Sequence, residues 1–329
     1  MQFNQRACMD WIFQKTGKIN QYRPKIHKGV QPVRVLHHMN LFMFQNSHPA
    51  FSKELTEAFV KDGFSKTIDI IYESEKIKTP YIRKNDKTIV FQETFLSYLW
   101  SIIHNIYILQ VCKEDLPINY QQTGKFIGSK KNQKIEKAID LFQYAKSLKT
   151  AYYKWDTEYL PNPEIYDAEN RDDIEHPNMY YSEAIKFILA HEYIHAISHI
   201  DKDSSLSILE MEIEADFKAI ELLKKGVFKD NSNAFLIQGG ILFGVISLLF
   251  LNRTTDSITH PNTEDRLVSA VEQLNLEDGS EIWDYALIGL KLWDEQFSHK
   301  FDWKNDISSK EEFYYVIEQV KERNKNNSK

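Results

Sequence analysis

The amino-acid sequence predicts an α+β fold that is mostly helical, with a small antiparallel sheet packed beside one buried helix. Apolar segments with helical periodicity recur through most of the chain after residue 92. Two short segments between residues 65 and 92 are typical of strands. One apolar helix carries the sequence HExxH at residues 191–195. This helix is expected to lie in the core, because its other side chains are apolar nearly all round.

Composition and charge exclude several classes of protein. The chain has 329 residues, of which 42% are hydrophobic, so it can bury the core of one large domain or two small ones. A net charge of −6, without a basic stripe that contains aromatic residues, argues against nucleic acid as a partner. Only Cys8 and Cys112 occur, and no hydrophobic signal sequence begins the chain. A cytoplasmic location is therefore expected.

The chain divides into three regions. Residues 1–60 are mixed in composition and are expected to form an N-terminal extension that packs on the core. Residues 61–275 should form the main domain, with an inserted helix and an acidic loop at 114–178. Residues 276–329 should provide C-terminal helices and a frayed tail, because the sequence is charged and polar from Asn324 onward.

The first half of the main domain predicts two strands and then two helices. The strands cover 68–72 and 81–90, and the second of them turns at Asn85 and Asp86. The helices cover 93–112 and 133–154, with a polar loop at 114–132 between them. The acidic stretch 156–177, which is broken by prolines, is either a solvated loop, which we favour, or a lid over a binding cleft.

The HExxH sequence predicts a metal site. On a helix, His191 and His195 lie about 40° apart on one face and roughly 6 Å apart along the axis, so two imidazoles can bind one ion. Glu192 flanks this face, where a general base for an activated water would lie. Ser182 is placed to cap the helix. The alternative is a chance HExxH whose histidines bond to backbone carbonyls.

A second helix is predicted over 204–226, with a serine cap at its start and Gly226 at its end. This helix supplies candidates for the third ligand. Glu212 and Asp216 share its apolar stripe, where buried carboxylates need a positive partner. We predict Glu212 as the ligand and Asp216 as the acceptor for the free ring N–H of a ligand histidine. Glu210 and Glu214 fall on a stripe typical of a solvated face. Glu214 remains the alternative ligand, because the phase of an idealised helix drifts.

These residues resemble the motifs of the gluzincins, in which HExxH is followed by a helix that carries ExxxD or ExxAD. Residues 212–216 match the second form. A metzincin would need glycine and histidine where this chain has Ser198 and Asp201. Residues 259–267 are similar to the THPxTxxR segment of HtpX-like and Oma-like peptidases, and residues 81–90 resemble the hairpin that gives those enzymes their substrate-binding edge strand. Over about 65–275, the chain most resembles the Lit-type phage-exclusion peptidases.

The resemblance implies a zincin-like metallopeptidase domain with Zn²⁺ as cofactor and a protein or peptide as substrate. It also implies a role in bacterial phage defence. Two other functions stay open. One is a membrane-embedded quality-control protease like HtpX, and the other is a non-catalytic zinc-binding regulatory protein, which would not need Glu192.

The segment at 259–267 adds His260 and Arg266 to the candidate site. Attack on a peptide carbonyl develops negative charge on its oxygen, and a nearby imidazole or guanidinium can donate a hydrogen bond there. We predict this catalytic role for His260, because Pro261 fixes the backbone just after it. For Arg266 we favour pairing with an acid such as Asp216 over a catalytic role.

Residues 234–251 are long and apolar enough to span a bilayer. We favour a buried core helix instead, because His260 lies just beyond and must return to the metal site. Three glycines in this segment would allow close helix packing. Two amphipathic helices are predicted to follow, around 280–297 and 309–322.

Overall fold

The computed structural model describes residues 31–327, apart from Glu73, 114–129, 202–204, Ile258 and Asn305. The first half of the N-terminal extension, residues 1–30, and most of the loop predicted at 114–132 lie outside the described residues. The described part contains ten helices and one three-stranded sheet, which confirms the mostly helical α+β class. The elements are a 3₁₀ turn (Pro32–Leu36), α1 (His37–Gln45), α2 (Phe51–Lys61), β1 (Ile68–Ile71), β2 (Tyr81–Arg83), β3 (Thr88–Gln92), α3 (Glu93–Val111), α4 (Lys130–Ser147), α5 (Arg171–Ile194), a π-helical turn (His195–His199), α6 (Ile208–Lys224), α7 (Ala234–Ile246), a 3₁₀ turn (Leu249–Leu251), α8 (Thr263–Leu274), α9 (Ile282–Phe297) and α10 (Ser309–Asn327).

The sheet is mixed, so the prediction that it is antiparallel throughout is wrong. β2 and β3 form an antiparallel hairpin. β1 pairs in parallel with the other side of β3, which gives the strand order β1-β3-β2. The alternation of side chains predicts a strand but does not show on which side it joins a sheet. β3 is buried throughout and leads directly into α3.

Helix α5 lies at the centre of the fold, where it packs against α1, α3, α6, α7 and β3. It begins at Arg171, so the predicted cap at Ser182 is wrong. Ser182 lies within the helix and donates to Asn40 Oδ1 at 3.0 Å. The helix passes through Pro177, and the adjacent Asn178 accepts from the indole N–H of Trp100 at 2.7 Å. Such buried contacts outweigh the local preference of proline to end a helix.

The acidic stretch before α5 lies far from the predicted metal ligands. Arg171 and His191 are separated by about 30 Å along the helix. The residues before Arg171 are held elsewhere, since Glu164 pairs with Arg34 at 3.1 Å. Among these residues the structure supports the loop interpretation and not the lid.

The apolar segment at 234–251 forms α7 and the 3₁₀ turn after it. By length and composition the window Ala234–Leu251 could cross a membrane, and 67% of it is buried inside this fold. α7 packs against α5, α8 and α9. A Cβ at Gly240 would overlap Glu183 of α5, and one at Gly244 would lie 2.8 Å from Phe187. These glycines permit the close packing that the sequence predicted.

The C-terminal helices form as predicted, but α10 continues through Asn327. The predicted fraying from Asn324 is therefore wrong for these residues. Asn324 is buried and its Nδ2 donates to Thr255 Oγ1 at 2.6 Å and to Glu264 Oε1 at 2.7 Å. These partners are remote in sequence, so the local polarity of the tail could not indicate them.

Candidate metal centre

The end of α5 and the middle of α6 bring His191, His195 and Glu212 together, and one ligand atom from each lies within 4.8 Å of the others. The Nε2 atoms of the two histidines are 3.0 Å apart. The Glu212 carboxylate lies 3.3 Å from each of them, through Oε2 to His191 and through Oε1 to His195. The structure thus places Glu212, and not the alternative Glu214, beside both imidazoles.

The arrangement of these three side chains fits a metal ion. Ligand atoms that bind zinc tetrahedrally at 2.0–2.2 Å lie about 3.4 Å from one another. The observed separations of 3.0 and 3.3 Å are close to that value. Glu212 Oε2 is also buried without a hydrogen bond in the described part of the chain. A cation between the three groups would satisfy it, and a fourth position would stay open for catalysis.

The electrostatics of the site also favour a cation. Burial lowers the pKa of His191, but the hydrogen bond with Asp216 and the nearby carboxylate of Glu212 outweigh this effect and raise the pKa to about 9. Burial acts to raise the pKa of Glu212, but His191 and His195 hold it well below its usual range. The carboxylate therefore stays charged in a largely buried site, where positive charge stabilises it.

Glu192 follows His191 on α5 and lines a cleft that Phe187, His260 and Arg266 also line. The residue is 8% exposed. Burial raises the pKa of its carboxyl group above the usual range, against the opposing effect of the two histidines. A raised pKa suits a general base that operates near neutral pH.

Asp216 contacts the ring nitrogen of His191 that does not face the other two predicted ligands. Its Oδ1 lies 2.8 Å from His191 Nδ1, which donates the hydrogen bond when Nε2 binds a metal. Arg266 donates to the same carboxylate twice, from Nε to Oδ2 at 2.7 Å and from Nη2 to Oδ1 at 2.8 Å. The predicted contacts of Asp216 with His191 and of Arg266 with Asp216 are therefore both present.

His260 lies at the mouth of the cleft. Its Nε2 is 3.5 Å from Glu212 Oε2, and about half of the side chain is exposed. Burial of the other half lowers the pKa of the imidazole. The neutral ring lies close enough to the three predicted ligands to contact a group bound at the fourth position. Its catalytic role stays a prediction.

His199, which was not predicted as a site residue, lies in the π-helical turn after α5. His199 Nδ1 lies 2.8 Å from His195 Nδ1, and its Nε2 lies 3.2 Å from Glu214 Oε2. Glu214 is therefore not a purely solvated residue as predicted, and its side chain is only 29% exposed. The spacing of four residues between His195 and His199 was the signal that could have indicated this contact.

A second feature that was not predicted from the sequence is the exposed apolar surface of α6. Leu209, Ile213 and Phe217 are substantially exposed, with Phe217 at 55%. These three residues line a pocket between α6 and α8. The pocket adjoins the cleft, since His260 and Arg266 line both. The predicted apolar stripe of α6 is thus only partly buried, and its exposed end faces the candidate site.

A family model described as Peptidase U49 matches residues 89–286, more than half of the chain. The match covers α3 to α8 and thus every residue of the site described above. No curated protein and no solved structure gives a significant match. The chain therefore belongs to the Peptidase U49 family, that of the Lit-type peptidases, and is a peptide-bond hydrolase.

Proposed function

We propose that this protein is a zinc-dependent endopeptidase that cleaves a protein substrate. The observation that carries the proposal is the convergence of His191, His195 and Glu212, with Glu192 beside them in a cleft. Two imidazoles and one carboxylate with an open fourth position are the ligand set of many catalytic zinc sites. A role in bacterial phage defence is also proposed, and it is supported by the family resemblance alone.

The chain supplies the groups that peptide hydrolysis needs. Zinc bound here supplies a Lewis acid, which polarises the peptide carbonyl and lowers the pKa of water. A carboxylate oxygen of Glu192 accepts the proton of the attacking water and delivers it to the nitrogen of the leaving amine. His260 Nε2 donates a hydrogen bond to the carbonyl oxygen as negative charge develops there. Asp216 keeps His191 oriented throughout.

An extended segment of substrate can reach these groups along the sheet. Among the described strands, β2 pairs only with β3, so no described strand pairs with its outer edge. Thr79 and Pro80, which come directly before β2, line the cleft with His191 and Glu192. A peptide added to this edge by main-chain hydrogen bonds would pass over the metal site. Leu209, Ile213 and Phe217 would then receive an apolar side chain of the substrate in the adjoining pocket.

Comparison of new protein termini in cells tests this function. Cells that express the wild type should contain termini that are absent from cells expressing Glu192→Gln, because the amide cannot accept the proton. The termini should lie beside apolar residues. Glu158→Gln, an exposed change in the loop before α5, is the control and should leave the termini in place. Identical termini in wild-type and Glu192→Gln cells would contradict the proposal and favour a non-catalytic zinc-binding protein.

A further inference from the structure

We propose that His199 and Glu214 form a hydrogen-bonded chain that holds His195 in the tautomer and orientation required to bind the metal. Neither residue is among the three predicted ligands, and both act through His195, so they are positioning residues. The inference rests on the proposed zinc site. His199 contacts Nδ1 of His195, whereas Glu212 faces Nε2 of the same ring.

The backbone after α5 creates this contact. The N–H of Ile200 donates to the carbonyl of His195 at 3.1 Å, which is the five-residue spacing of a π-helix. Such turns are rare and occur frequently at functional sites. The rings of His195 and His199 meet with centroids 4.9 Å apart and an angle of 63° between their planes. The side chain of His199 is only 4% exposed, so its ring nitrogens depend on protein partners.

The positions of the protons in this hydrogen-bonded chain follow from the metal-binding role of His195. His195 must offer Nε2 as a lone pair, so its hydrogen is on Nδ1. This N–H donates to His199 Nδ1 at 2.8 Å, and that nitrogen must therefore be the unprotonated one. The remaining hydrogen of His199 is on Nε2, which donates to Glu214 Oε2 at 3.2 Å. With two neutral rings, no other assignment gives both hydrogen bonds and leaves His195 Nε2 free for a metal.

The hydrogen bonds that begin at His195 end at a charged carboxylate, Glu214. The hydrogen bond of His191 also ends at a carboxylate, that of Asp216. Lys218 pairs with Glu214, and this pairing together with His199 lowers the pKa of the Glu214 carboxyl group. His191 is held in the same way by Asp216, which is paired with Arg266. Each ligand histidine is thus linked by hydrogen bonds to a carboxylate that has a cationic partner. For His191 the link to Asp216 is direct, whereas for His195 the imidazole of His199 lies between the ligand and Glu214.

The test measures Zn²⁺ affinity by competition with a chromophoric chelator, together with the visible spectrum of the Co²⁺-loaded protein. His199→Ala should bind Zn²⁺ about 10 to 100 fold more weakly and change the Co²⁺ spectrum. Glu214→Gln should show a smaller loss, because the amide still accepts a hydrogen bond. His199→Gln should regain most of the affinity, since its carbonyl can accept from His195 while its amide donates to Glu214. His176→Ala, an exposed change at the other end of α5, is the control.

Two results would overturn the inference. One is a His199→Ala variant with wild-type affinity and an unchanged Co²⁺ spectrum. The other is an equal loss in His199→Ala and His199→Gln accompanied by a lower melting temperature, which would show that the ring only fills space. A wild-type protein that takes up no Zn²⁺ would instead contradict the proposed function, and the inference would fall with it.

Discussion

At the scale of single residues, the acids of α6 differ in what their carboxylates contact. Glu212 approaches both ligand histidines, whereas Asp216 contacts His191 and Arg266. We expect Glu212→Ala to lose zinc and Asp216→Asn to weaken zinc binding by roughly 10 to 100 fold without abolishing it. Metal analysis and chelator competition measure both effects. Glu210→Ala, in the capping box of α6, is the control, and loss of zinc from this variant would contradict the assignment.

His260 supplies the second residue-scale prediction. Its exposed ring lies beside Glu212, where it can stabilise negative charge on the substrate carbonyl. His260→Ala should therefore lower turnover about 100 to 1,000 fold while the zinc content stays at that of the wild type. Rates of substrate cleavage, measured together with zinc content, check this. A variant that loses its zinc and its activity together would assign His260 to metal binding instead.

Glu93 carries a prediction about pH. It is buried at the start of α3, and neither carboxylate oxygen has a hydrogen-bond partner in the described part of the chain. Burial raises the pKa of its carboxyl group from 4.5 to about 8, against the opposing effect of Arg34. Between these values the folded protein holds a proton that the unfolded chain has released. The free energy of unfolding should therefore fall as pH rises through this range, by up to about 1.4 kcal/mol per pH unit.

Replacement of this carboxyl group should remove that part of the pH dependence. Glu93→Gln should unfold with a flatter profile between pH 5 and 8 and should be more stable than the wild type near pH 8. Urea unfolding across this range measures the slope. Glu136→Gln, an exposed change on α4, should keep the wild-type profile. An unchanged slope in Glu93→Gln would show that Glu93 is ionised in the folded protein.

Individual side chains were predictable where helical spacing decides their position. His191, His195 and Glu212 could be assigned because spacing fixes the face of a helix to within a fraction of a turn. For His199 the four-residue spacing from His195 was the one such signal, and its contact with Glu214 depends on a π-helical turn that helical periodicity does not predict. Asn324 was missed for a related reason, since its partners come from segments far away in the sequence.

At the scale of elements, the existence of helices was more predictable than their ends or partners. The limits of α6 agree with the serine cap and the glycine read from the sequence. α5 begins at Arg171 because buried packing carries the helix through Pro177. β1 joined the sheet in parallel, since pairing direction is set by the connection and not by the residues of the strand.

A close contact between two core helices gives an element-scale prediction. Gly240 of α7 meets Glu183 of α5, and an added Cβ has no room there. Gly240→Ala should therefore destabilise the protein by about 1 to 3 kcal/mol, because the two helices must move apart. Thermal unfolding measures the change. Gly279→Ala is a matched control, because a Cβ at Gly279 meets nothing within 4 Å. Equal melting temperatures for the two variants would contradict this account of the contact.

At the scale of the whole molecule, the mostly helical class and the metal-binding group were predictable, whereas the cleft was not. The cleft combines α5, the residues before β2 and the segment that precedes α8. Glu264 of α8 is held by Asn324 near the end of α10, so the C-terminal helix contributes to the position of this segment. A membrane-embedded protease would require α7 to leave its contacts with α5, α8 and α9.

The proposed function requires that the end of α5 and the middle of α6 together bind one catalytic zinc ion. The most direct test is metal analysis of protein purified without chelators, before and after incubation with Zn²⁺. We expect about one zinc per wild-type chain, and its loss in His191→Ala and in His195→Ala. A wild-type protein that neither contains zinc nor takes it up would contradict the account.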